Sequence, residues 1–126
     1  MNTRLKPDTL TLRYAECPSL GIEIERWEPA DPRLVDLELE LNIGWSDWES
    51  GDENIFFLRV TSNDLRKRSR QKDQRTLWFD EFRWFSVREE ILDRIARCER
   101  GTWKESFAQL RECFRWYYEG SSWHGY

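Results

Sequence analysis

Thr102–Gly120 reads TWKESFAQLRECFRWYYEG. Trp103, Phe107, Leu110, Phe114 and Tyr117 recur at steps of four, three, four and three residues, which places five large apolar groups on one stripe of a helix. Lys104, Glu105, Gln109, Arg111, Glu112 and Arg115 fall on the other side, where water can solvate them. Thr102 is placed to cap the first amides, with Glu105 three residues on to complete a capping box. Gly120 offers the left-handed turn that ends a helix. At about 1.5 Å of rise per residue such a helix is roughly 27 Å long, the width of a small domain. A stripe this apolar needs a second layer to bury it.

The chain before it supplies that layer. Leu34–Gly44 alternates cleanly: Leu37, Leu39, Leu41 and Ile43 point one way, and Asp36, Glu38, Glu40 and Asn42 the other. Ile55–Thr61 reads as its partner strand across a polar loop, Trp45–Asn54. Thr9–Tyr14, with Leu10, Leu12 and Tyr14 on one face, reads as a first strand, and Ile22 and Ile24 as a short second one. Pro29 and Pro32 break any regular structure between Glu28 and Arg33. Ser62–Arg70 opens as a short helix, and Thr76–Phe85 is aromatic enough for a further strand. Ser86, with Glu89, starts a helix whose stripe is Val87, Ile91, Ile95 and Cys98, joined by Leu92; Gly101 ends it. Strands first and helices last predict an α+β fold: an N-terminal antiparallel β-sheet of four to five strands, covered on one face by two C-terminal α-helices.

The totals agree with one domain. A chain of 126 residues buries roughly two-thirds of its unfolded surface, and eight Trp make much of that core aromatic. The net charge of -4 argues against a general nucleic-acid binder, whose phosphate contacts require excess Lys and Arg. Cys17, Cys98 and Cys113 are odd in number and lack C-x-x-C spacing. Residues 1–14 show no cationic-then-apolar leader, and no apolar run approaches about 20 residues, so the expected compartment is the reducing cytoplasm.

Catalytic chemistry finds little footing. His124 is the one histidine and lies near the C-terminal end of the sequence, and chain ends in general position a nucleophile's base poorly. Three scattered Cys and that His make no metal cluster, and neither phosphate-binding glycine motif occurs, so no cofactor is expected. Glu38 and Glu40, Asp80 and Glu81, and Glu89 and Glu90 are carboxylate pairs, but nothing distinguishes one as an acid–base site. The reading is a protein that is not an enzyme.

Charge, by contrast, is segregated. Asp36, Glu38, Glu40, Asp47, Glu49, Asp52 and Glu53 occur with no Lys or Arg among them, and Trp45 and Trp48 are embedded in the run. Carboxylates that steer, beside aromatics that anchor, suit capture of a basic protein. The bland alternative is a solvated strand face with both tryptophans folded inward. Arg66, Lys67, Arg68, Arg70, Lys72 and Arg75 form an opposing basic segment, which leaves a small nucleic-acid-binding or regulatory protein as the second reading. It lacks interleaved aromatics for base stacking, so a solvated loop or an internal partner for the acids fits it better.

Asn42-Ile43-Gly44, then Asp52, the strand Phe56–Thr61 and Leu65 resemble the middle of the bacterial immunity protein 8 family, small proteins encoded beside polymorphic toxins. Trp103 and Glu105, Leu110, Phe114 and Trp116-Tyr117-Tyr118-Glu119 resemble its C-terminal part, although Tyr117 stands where the family shows an acidic residue. The resemblance implies an α+β fold and a cytoplasmic inhibitor of one cognate toxin C-terminal domain, for example one from a contact-dependent growth inhibition system. It brings no catalytic residues; the acidic run, the net charge and the lack of a long apolar run add the expectation of a basic protein partner, with no direct nucleic-acid or membrane partner.

Overall fold

In the computed structural model, residues 9–46, 54–66 and 75–119 are described. Five strands form one sheet: β1 (Leu10–Glu16), β2 (Asp36–Trp45), β3 (Ile55–Ser62), β4 (Thr76–Phe79) and β5 (Arg115–Trp116). The order is β1-β2-β3-β4, with β5 also on β3. The long alternating segments pair antiparallel, β1 with β2 and β2 with β3. β4 instead runs parallel to β3, a pairing that requires a crossover. That crossover is residues 63–75, which include the single-turn helix α1 (Asn63–Arg66).

Two longer helices, α2 (Trp84–Cys98) and α3 (Trp103–Cys113), lie over one sheet face and make the fold α+β. Leu39, Leu41 and Ile43 of β2 and Phe56, Leu58 and Val60 of β3 are all 0% exposed. Val87, Ile91, Ile95 and Cys98 of α2 meet them in one core with Leu110 and Phe114. The α3 stripe closes on the sheet through rings: Phe107 lies 6.0 Å from Phe56, Trp103 6.3 Å from Trp45, and Phe114 6.3 Å from Phe56. The α3 cap matches the sequence pattern, with Glu105 N donating to Thr102 Oγ1 at 3.2 Å; the Thr102 hydroxyl in turn donates to Glu105 Oε1 at 2.9 Å.

The expected helix over 102–120 is shorter. Phe114 leaves the helix with extended φ and ψ of -137° and 154°, and Arg115 and Trp116 join the sheet opposite Phe57 and Phe56. Ladder hydrogen bonds to β3 outcompete further helical turns, and Tyr117 N donates to Ile55 O at 2.9 Å. Phe114 stays in the core, whereas Tyr117 is 54% exposed. Gly120 lies outside the described residues.

Other boundaries shift for local reasons. α2 starts at Trp84, before Ser86, and its N-cap Arg83 makes no side-chain capping bond. Trp84 and Phe85 therefore belong to the helix, and β4 stops at Phe79. α2 ends on Cys98, where Glu99 turns extended, so Gly101 does not make the stop. No strand forms at Ile22–Ile24: Gly21 takes a left-handed φ of 68°, and a 3₁₀ turn follows over Ile24–Arg26. That turn buries Ile24 and leaves Ile22 exposed. In β1 the register slips between Leu12 and Tyr14, so Leu12 opposes Ile43 but Tyr14 opposes Asn42. This bulge sends Tyr14 to the face opposite Leu10 and Leu12.

Candidate functional site

The second face of the sheet lies away from α2 and α3. Its side chains follow from the period of two. Asp36, Glu38 and Glu40 alternate with the buried leucines of β2, and the register sets Arg59 opposite Glu38 and Phe57 opposite Glu40. β5 adds Arg115 opposite Phe57, and beyond the bulge β1 adds Tyr14 and, opposite Glu40, Glu16.

These groups are tied into a network. Arg59 forks onto Asp36, with Nε to Oδ1 at 2.8 Å and Nη2 to Oδ2 at 2.5 Å. That bond holds the Arg59 pKa above its ordinary value, aided by the fields of Asp36 and Glu38 and opposed by partial burial. Arg115 Nη2 donates to Glu38 Oε2 at 2.9 Å, and its guanidinium lies 4.5 Å from the Phe57 ring centre. Tyr117 stacks with Phe57, the ring centroids 5.9 Å apart at an interplanar angle of 26°. The Tyr14 hydroxyl donates to Glu40 Oε2 at 3.4 Å.

The acidic row is therefore present, but half-matched. Asp36 and Glu38 share their charge with two arginines that arrive from distant strands. Asp36, Glu38 and Glu40 come together on this face; Asp47, Trp48, Glu49, Asp52 and Glu53 lie outside the described residues. Trp45 does not serve as a surface anchor. It ends β2 rather than opening a loop, is 9% exposed, and packs edge-on against Trp103. Asn42, expected in water, is buried at 4% exposure beneath this face.

The residues that the acidic run did not reveal are Phe57, Arg59, Arg115, Tyr14 and Tyr117. Phe57 and Arg59 are legible in hindsight as the outward positions of β3, between Phe56, Leu58 and Val60. Tyr14 depended on a bulge and Tyr117 on a helix end, neither of which periodicity reports.

The basic segment contributes nothing to this face within the described residues. Arg75 turns inward, ion-paired to Glu119 and donating to Arg111 O at 2.8 Å. Lys67, Arg68, Arg70 and Lys72 lie outside the described residues, as do the Arg66 side-chain contacts. No helix among the described residues is long and apolar enough to cross a membrane.

No curated protein and no solved structure matches the chain. A family model does: the one described as Immunity protein 8 matches residues 10–120. That span runs from the first residue of β1 to just beyond β5 and so takes in the whole sheet and both covering helices. The chain belongs to the Immunity protein 8 family.

Proposed function

We propose that this protein binds and neutralises one cognate bacterial toxin domain in the cytoplasm, without catalysis, using the open sheet face. The observation that carries the reading is the row Asp36, Glu38 and Glu40 beside the Phe57–Tyr117 stack, on the sheet face away from α2 and α3. Asp36, Glu38, Glu40 and Glu16 stand there with Arg59 and Arg115, and in this proposal the carboxylates give the face its attraction for a basic partner. Many such toxins are nucleases, whose clefts are positive because they hold phosphate. Carboxylates steer the encounter, and the flat aromatic pair supplies desolvated contact once docked. Asp47, Trp48, Glu49, Asp52 and Glu53 are further candidate contacts for the same partner in this proposal.

The test is co-expression with the toxin domain encoded by the neighbouring gene. Protection of growth and co-purification of the two chains are expected. Reversing Glu38 and Glu40 to Lys should slow association most at low salt, where charges are least screened. Intact folding with neither complex nor protection would overturn the reading. Unchanged association rates in the reversed variant would move the interface off this face.

A further inference from the structure

The C-terminal ends of α2 and α3 bring together two thiols that the open face does not use. Cys98 is the last residue of α2 and is 3% exposed; Cys113 is the last residue of α3 and is half-buried. Their sulfurs lie 3.7 Å apart, Cys98 Sγ donating to Cys113 Sγ. They border a cleft of about 460 Å³ whose wall also includes Arg94, Arg97 and Gln109. Cys17, the third thiol, is buried elsewhere, with its sulfur 3.3 Å from Ser19 Oγ.

We propose that Cys98 and Cys113 are a redox pair, a modification site at which a small-molecule disulfide entering this cleft is reduced to two thiols while the protein gains a Cys98–Cys113 disulfide. The proposal is independent of the toxin-binding reading. Two helix ends packed on one sheet hold the sulfurs near each other before any reagent arrives. A disulfide needs about 2.05 Å between them, so the remaining approach is small compared with a backbone rearrangement.

The order of attack follows from exposure. Cys113, the more accessible sulfur, attacks the reagent as its thiolate, forming a mixed disulfide and expelling one thiolate with the bonding electron pair. Cys98 then loses its proton to solvent and attacks the Cys113 sulfur, and the second thiolate leaves. Two electrons pass from the protein dithiol to the reagent, and both leaving groups end as thiols. Burial first, and then the neighbouring Cys113, push the Cys98 thiol up to about 12. Conversion of Cys113 to a neutral mixed disulfide removes the second influence, so that only burial still opposes the attacking thiolate while Arg100 and Arg97 favour it.

The experiment is incubation of the folded full-length chain with oxidised glutathione, followed by intact mass, thiol titration and peptide mapping. Free thiols are expected to fall from three to one, with a mass loss of two hydrogens and a cross-linked peptide joining Cys98 to Cys113. Cys98→Ser should stop at a glutathione adduct on Cys113. A persistent adduct on the unmutated protein, a link through Cys17, or three unreacted thiols would each overturn the proposal.

Discussion

Arg115 and Glu38, 77 positions apart in the chain, meet at 2.9 Å on the open face of the sheet. The contact exists because β5 returns to β3 after α3 and lays its single outward arginine over Phe57. It converts an acidic strand into a mixed surface whose charges are held in place.

Because both side chains remain about half exposed, the pair should add little to stability. A double-mutant cycle with Glu38→Ala and Arg115→Ala, followed by urea unfolding, should give a coupling below about 1 kcal/mol. A much larger coupling would mean the face is covered in solution.

Phe114 and Tyr117 sit three residues apart but on opposite sides of the sheet. Phe114→Ala should destabilise by about 3–5 kcal/mol, since the ring is fully buried against Phe56. Tyr117→Ala should cost less than about 1 kcal/mol while weakening toxin binding. Equal losses of stability in the two variants would restore Tyr117 to the core.

Two hydroxyls separate surface capping from buried bonding. Thr102→Ala removes the α3 cap and should cost about 1 kcal/mol. Ser62, 0% exposed, accepts from Val35 N at 2.8 Å and donates to Val35 O at 3.1 Å. Ser62→Ala strands the Val35 amide and should cost about 1–3 kcal/mol by the same unfolding assay.

The Cys98 thiol predicts an alkaline loss of stability. Its folded pKa is raised to about 12 against an unfolded 9.0, so the folded state holds its proton where the unfolded state releases it. The contribution is fully present below pH 9 and falls as pH rises toward 12. Arg97 and Arg100 work against the shift, and Cys113 works with it. Under reducing conditions Cys98→Ala should therefore lose less stability between pH 8 and pH 10 than the unmutated protein, which parallel denaturation curves would show.

The parts of this fold that were legible are those where one residue period runs unbroken against one core. Leu37, Leu39, Leu41 and Ile43 mark β2, and Val87, Ile91, Ile95 and Cys98 mark α2, because alternation or a 3.6-residue stripe is a direct consequence of burying one face. The same logic placed Phe107, Leu110 and Phe114 under the sheet and gave Thr102 its cap. It failed where local periodicity and long-range pairing disagree. Phe114 and Tyr117 continue a helical stripe on paper, but the unpaired edge of β3 offers Arg115 and Trp116 hydrogen bonds that no local pattern encodes. A one-residue bulge in β1 reversed Tyr14 for the same reason.

The α+β class, two C-terminal helices on an N-terminal sheet, and the outward placement of Asp36, Glu38 and Glu40 on β2 were settled by the sequence, since each depends on neighbours within one element. Whether those carboxylates stand alone was decided by tertiary structure. Arg59 and Arg115 reach Asp36 and Glu38 through strand register, and Trp45 is drawn under Trp103 by core packing. Register and packing are set between segments far apart in the chain, where no single stretch of sequence carries the information.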